Sequence, residues 1–159
     1  MSTKIEIRHV KKKFGSKVVL ADLNLNVESG KALVVMGASG TGKSVLLKCI
    51  LGLVDVDGGQ IFVDGKDVTK FKDAERAQLM KKFGMLFQSG ALFDSMTVWE
   101  NVAFVALKDG MAPKEARKLA IEKLALVELK ADVADMNPAD LSGGMRKRVG
   151  LARAICHNP

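Results

Sequence analysis

Tyrosine is missing from this chain, and tryptophan occurs once, at position 99. A single-stranded nucleic acid needs successive aromatic faces on which its bases can stack. With aromatics at 5%, the chain has few to offer. Its basic residues are scattered and not drawn into a stripe with interleaved aromatics, so no nucleic-acid partner is expected. Cysteine is nearly as scarce. Cys49 and Cys156 lack metal-ligand spacing and cannot build a disulfide framework, which points to reduced thiols in a cytosolic setting. No apolar run approaches the ~20 residues that cross a bilayer. Residues 1–8 lack the basic-then-apolar build of a signal peptide. Internal repeats and low-complexity tracts are absent as well.

What remains is the composition of one globular domain. The 159 residues are 48% hydrophobic and 27% charged, enough to bury a core. The formal charge of +7 suits an anionic partner such as a nucleotide or an anionic membrane face. It equally suits a solvated surface with surplus lysine.

The first third reads as strands. Residues 4–10 and 18–27 alternate, with Leu23, Leu25 and Val27 on one face, as in an antiparallel sheet with one wet side. Residues 32–36 (ALVVM) form an unbroken apolar run, the pattern of a parallel strand covered on both faces. A glycine-rich loop and a helix over 43–53 follow. A strand over 60–63 leads into an Asp64-Gly65 hairpin turn. The pattern then turns helical. An amphipathic helix is expected over 73–82, and a short buried strand over 84–87 (GMLF) ends at Gln88. Thr97-Val98-Trp99-Glu100 has the form of a capping box that opens a helix through about residue 107. Pro113 stands where a first helical turn tolerates it, and Ala116, Ala120, Leu124 and Val127 line one face of that helix. Asn137-Pro138 breaks the chain before a last helix opened by Ser142-Gly143-Gly144.

Gly37-Ala38-Ser39-Gly40-Thr41-Gly42-Lys43-Ser44 fits G-x-x-x-x-G-K-[ST] in full, between an apolar run and a helix. Glycines let successive N–H groups turn inward as an anion nest, and the helix N-terminus adds partial positive charge. The sequence therefore predicts that this loop, with Val45, cradles the phosphates of a nucleoside triphosphate. Lys43 serves as a point charge on the β- and γ-phosphates, and the Ser44 hydroxyl serves as a Mg²⁺ ligand. A glycine turn that merely links strand to helix is the plainer alternative.

Three more stretches, in this order and spacing, resemble the nucleotide-binding domain of ATP-binding cassette (ABC) proteins. They are Phe14 in KKFG, Gln88 at the edge of the helical block, and Leu141-Ser142-Gly143-Gly144-Met145 at the last helix. The resemblance runs from residue 4 to residue 159. It implies an α/β phosphate-loop fold with an N-terminal antiparallel β subdomain and an inserted helical subdomain. The corresponding division is an ATP-binding core over 1–88, a helical part over 89–150, and a return toward the core over 151–159. It implies that Phe14 stacks on adenine, although a core phenylalanine at a hairpin edge would give the same letter. Gln88 resembles the glutamine that joins the Mg²⁺ shell and senses the membrane subunits, or else a solvated strand end. Ser142, Gly143 and Gly144 resemble a signature loop acting on the nucleotide of a second subunit; by itself, Ser142 is an ordinary helix cap. Met145 departs from the family, most of which has Gln there. A Met would lose a hydrogen-bonding side chain but keep the backbone nest.

The stretch LFQSGALFDSMTVWENVAF together with LSGGM is similar to the ABC ATPases of bacterial lipid trafficking, the Mla and toluene-tolerance group. Many other importers carry Pro where Asp94 stands and lack the Ser89–Ala91 run. That likeness implies a homodimeric ATPase subunit on the cytoplasmic face of the inner membrane, with permease subunits and an Mce-type lipid-binding protein as partners. ATP and Mg²⁺ are the implied cofactors. The family's acidic Walker B strand, D-loop and switch histidine have no counterpart in this sequence, so a catalytic set is expected to be incomplete. His9 and His157 carry no motif. The chain by itself is therefore expected to bind ATP without hydrolysing it, and to be poorly ordered or poorly soluble around 32–36. A non-hydrolysing nucleotide-binding module, or a soluble ABC engine serving DNA repair or the ribosome, are the competing readings.

Overall fold

The computed structural model describes residues 2–88 and 90–159. They divide into two compact units, 1–80 and 81–159.

The first unit is built on a hairpin. Strands β1 (Thr3–Phe14) and β2 (Lys17–Glu28) pair antiparallel across the Gly15-Ser16 turn. β3 (Gly58–Val63) pairs with the other edge of β1, and β4 (Lys66–Asp67) pairs with β3, which gives the order β2-β1-β3-β4. Asp64 and Gly65 both have positive φ, the geometry of a type I′ hairpin turn. The alternation in β1 is interrupted. Ile7 pairs with Leu25 and Val10 with Leu23, so three steps on one strand face two on the other. His9 takes the extra place at φ +51°, its N–H bonded to Asn24 Oδ1 at 2.9 Å. This bulge turns Val10 inward beside Ile7, so both are buried where strict alternation would bury position 9. Leu23, Leu25 and Val27 are half-buried along one face of β2, as their spacing predicts. Helix α1 (Lys43–Ile50) buries Leu46, Cys49 and Ile50, and α2 (Asp73–Met80) buries Leu79.

Two expected strands are not formed. Residues 32–36 have no strand partner among the described residues, and Val34 and Met36 are 74% and 86% exposed. Residues 84–87 are also irregular. The reason is common to both. A buried parallel strand is defined by neighbours that accept its N–H groups and cover both its faces, and nothing described here supplies them.

The second unit closes its own core. Thr97 precedes α3 (Val98–Val102), and the Glu100 carboxylate accepts from both its N–H and its hydroxyl at 2.7 Å. The expected single helix is interrupted at Ala103, beyond which α4 (Phe104–Lys108) continues. Helix α5 (Pro113–Leu126) starts on its proline. It buries Ala116, Ala120 and Leu124 completely, with Val127 nearly so. Two 3-10 turns, Ala131–Asp135 and Pro138–Asp140, lead to α6 (Gly143–Ala154). Val98, Val102, Leu124, Val133, Leu141 and Val149 share one core with Cys156. Asn101, a polar residue, is wholly buried. Its Oδ1 accepts the Phe93 N–H at 2.7 Å, and its Nδ2 donates to the carbonyls of Phe93, Met96 and Thr97. One side chain thus satisfies four backbone groups of the 93–97 turn.

Candidate nucleotide-binding site

The site in the first unit grows out of the β1–β2 hairpin. Phe14 and Lys17 are directly opposed across the two-residue turn, so their side chains project to the same face. Val19, two residues on, shares it. Phe14 is 51% exposed, which removes the core-phenylalanine reading. Against this face sits the loop that opens α1. Gly42 caps the helix at φ +96°, where a side chain is disfavoured. A Cβ there would also lie 2.8 Å from Val19 Cγ1 and 3.1 Å from the Val19 carbonyl oxygen. The close approach of loop to strand therefore requires glycine on two counts.

The first rung of α1 runs from Leu46 N–H to the Gly42 carbonyl at 2.8 Å. The N–H groups of Lys43, Ser44 and Val45 thus have no acceptor within the helix, and Gly42 has no side chain to cap them. Lys43 folds back along the loop, its Nζ donating to the carbonyls of Gly37 and Ala38, both at 2.7 Å. The Thr41 hydroxyl donates to Ala38 at 2.9 Å. Ser44 is exposed. Phe14, Lys17, Val19, Ser39, Gly40 and residues 42–45 line one open cavity of about 340 Å³. An aromatic face thus lies at one end, with an ammonium, a hydroxyl and free N–H groups at the other. Beside it, the Lys12 ammonium and the Lys13 N–H bind the Asp57 carboxylate at 2.9 and 2.7 Å. The Lys12 bond first, and then the Lys13 N–H, hold that carboxyl below the ordinary carboxylate range.

The other expected residues lie in the second unit. Gln88 is exposed in a turn closed by the Gly90 N–H on the Phe87 carbonyl at 2.9 Å. Ser89, the start of the Ser89–Ala91 run, lies outside the described residues. Gly90 has φ +78°, and a Cβ on it would lie 2.8 Å from the Arg146 carbonyl oxygen, so the Gln88 turn rests directly on α6. Arg153 completes the attachment, its guanidinium donating to the carbonyls of Ala91 and Gly90 at 2.8 and 2.6 Å. Burial lowers the pKa of Arg153. Sequence reading passed over Arg153, and only its place one α-helical turn after Val149 on a core-facing helix could have singled it out.

Ser142 caps α6, its Oγ accepting the Met145 N–H at 3.2 Å. Leu141 is buried, and Arg146 donates to its carbonyl at 2.6 Å. Met145 packs against the core as a partly buried side chain. Gly143 and Gly144 are exposed. A Cβ on Gly143 would meet nothing within 4 Å, and one on Gly144 would meet only Ser142 Oγ, at 4.0 Å. Neither has positive φ. Among the described residues, no contact therefore calls for glycine at either position.

A family profile described as ABC transporter matches residues 20–159. The chain belongs to the ABC transporter family. "Probable ribonucleotide transport ATP-binding protein mkl" of Mycobacterium tuberculosis is 43% identical over the whole chain, which spans 44% of that protein. "Intermembrane phospholipid transport system ATP-binding protein MlaF" of Haemophilus influenzae is 41% identical over 98% of the chain and 59% of its own length. Among solved structures, a dimeric ATP-binding cassette in a post-hydrolysis state, bound to ADP and Pi, superposes with a TM-score of 0.86. It is 33% identical, and the match covers 98% of this chain and 70% of that one. The chain therefore spans about half the length of the curated relatives it matches. Its α/β architecture with an antiparallel sheet is that of an ABC ATPase cassette. Among the described residues, no helix is long and apolar enough to cross a membrane.

Proposed function

We propose that this chain is the nucleotide-binding part of an ABC transporter ATPase subunit and takes Mg²⁺-ATP into the cavity of the first unit. The observation that carries the reading is the convergence of Phe14, Ser39, Gly40 and residues 42–45 on one cavity. The cradle fits a triphosphate. Its donors are uncapped helical N–H groups, a glycine-only approach at Gly42 and an ammonium held at the loop by weakly basic carbonyls. Phe14 stacks on the adenine ring. Gly37, Ala38, Ser39, Gly40, Thr41, Gly42 and Val45 surround the phosphates, Lys43 exchanges its carbonyl partners for phosphate oxygens, and the Ser44 hydroxyl would hold Mg²⁺. When bound, the metal supplies charge neutralisation across the β- and γ-phosphates.

Leu141, Ser142, Gly143, Gly144 and Met145 form the signature segment, acting on the nucleotide of a second copy. The support is physical. Glycine leaves the backbone N–H groups at the start of α6 open to approach, and the packing of the described residues gives no reason for two of them. An outside group that must approach the bare backbone does. We place the subunit at the cytoplasmic face of a bacterial inner membrane, with permease subunits and an Mce-type protein, moving phospholipid. The name of the MlaF relative supports that cargo, and the ribonucleotide named for Mkl is the competing one.

Calorimetric titration with Mg²⁺-ATP tests the core of the reading. Each lost charge-assisted hydrogen bond costs about 1.5–3 kcal/mol, so Lys43→Ala should weaken binding by at least about tenfold. Unchanged affinity would refute it.

A further inference from the structure

We infer that Arg153 is a positioning residue, which fixes the Gln88 turn to the same face of α6 that holds the Ser142 segment, so that the two shift together. Its bearing on function rests on the reading of residues 141–145 above. The geometry lies wholly within the second unit.

Gly90, whose N–H closes the Gln88 turn, meets α6 at three places. A Cβ on Gly90 would lie 2.8 Å from the Arg146 carbonyl oxygen. A Cβ on Gly150 would lie 3.0 Å from Gly90 Cα and 3.3 Å from the Gly90 carbonyl oxygen. The Arg153 guanidinium donates to that same carbonyl at 2.6 Å and to the Ala91 carbonyl at 2.8 Å. Positions 146, 150 and 153 follow helical spacing and form one face. Glycine inside a helix is disfavoured against alanine. Gly150 is buried within α6, and the approach of Gly90 is what requires it. Arg153 is equally particular. It is partly buried, and among the described residues no carboxylate pairs with it. Its planar fork holds two carbonyls in fixed directions, which a flexible ammonium does not.

The same face continues to the start of the helix. The Arg146 guanidinium donates to the Leu141 carbonyl at 2.6 Å, and the Arg146 N–H donates to the Ser142 carbonyl at 2.9 Å. Arg146 therefore abuts the Gln88 turn with its carbonyl and holds the Ser142 segment with its side chain and N–H. A group that displaces the exposed Gln88 turn presses Gly90 against Arg146 and so shifts the cap at Ser142. Such coupling is reciprocal.

Hydrogen exchange read amide by amide on the whole chain, without nucleotide, tests this. Arg153→Met removes two charge-assisted bonds and should speed exchange at the Gly90 N–H by at least about tenfold. Exchange at the Met145 and Arg146 N–H groups, which hold the Ser142 cap, should rise with it by about threefold or more, while Ala120 and Leu124 of α5 stay unchanged. Arg153→Lys, which keeps the charge and one bond, should fall between. Arg146→Met, which frees the Leu141 carbonyl, should in turn speed exchange at Gly90. If Arg153→Met does not fold, the other two variants carry the same comparison. A rise at Gly90 alone would mean that Arg153 holds only its own turn. An equal rise through α5 would mean a general loss of stability, and no rise at Gly90 would mean that the bonds hold nothing. Each of these overturns the inference. Failure of the chain to bind Mg²⁺-ATP would instead bring down the nucleotide reading and leave the exchange result standing.

Discussion

The two units handle apolar sequence in opposite ways. In residues 81–159, apolar side chains at helical spacing find one another across α3, α5 and α6, and Leu124, Val98 and Val149 are fully buried. In residues 1–80, the equally apolar run at 32–36 lies open to solvent. Helices satisfy their own backbone and need only a neighbour for one stripe of side chains. A parallel strand needs partners for its backbone and cover for both faces. Local sequence therefore completes the helical unit, whereas a strand run of this kind needs neighbours that no local pattern supplies.

That contrast can be broken by experiment. The largest effect is expected for Leu124→Ala, which opens a cavity in the helical core and should destabilise it by about 2–5 kcal/mol. Trp99, the only tryptophan, lies in the same core and reports the unfolding by fluorescence. A loss below 1 kcal/mol in urea would mean that the core is loosely packed. Next comes Gly42→Ala, where the positive φ and the approach of Val19 together should cost about 2 kcal/mol. Hydrogen exchange should then rise around residues 37–46 and β2 with little change at 98–156, while nucleotide binding is lost. Ser142→Ala removes one capping bond and should cost about 1 kcal/mol, read in the same fluorescence melt. The smallest effect belongs to Val34→Lys. On an exposed, unpaired segment it should shift stability by less than about 0.5 kcal/mol and raise solubility. A large destabilisation would show that residues 32–36 are paired in solution after all.

The glycine at the start of α1 was legible because it has a backbone reason. Gly42 is forced by φ and by Val19, and Lys43 and Ser44 by the chemistry they offer. The Ala116, Ala120, Leu124 and Val127 stripe was legible because a period of 3.6 leaves one face. Three features were not. The bulge at His9 depends on the register of β1 against β2, which no single strand encodes. The break at Ala103 divides what the capping box opens as one helix. Asn101 and Arg153 act on backbone carbonyls of loops whose course the sequence does not announce, so a polar letter inside a helix gave no sign of its partners.

The sequence by itself determined the local devices: the glycine-led start of α1, the caps at Thr97 and Ser142, the hairpin turn at Asp64-Gly65 and the helical core stripe. Each needs only residues within a few positions of one another. Tertiary structure decided what those devices could combine into. It set Phe14 and Lys17 on the same face as the loop at Gly42, laid the Gln88 turn against α6 through Gly90 and Arg153, and left residues 32–36 without partners. The physical reason is that helices and turns close their hydrogen bonds within the segment, whereas sheets and composite sites are made of contacts between segments, which only the folded chain creates.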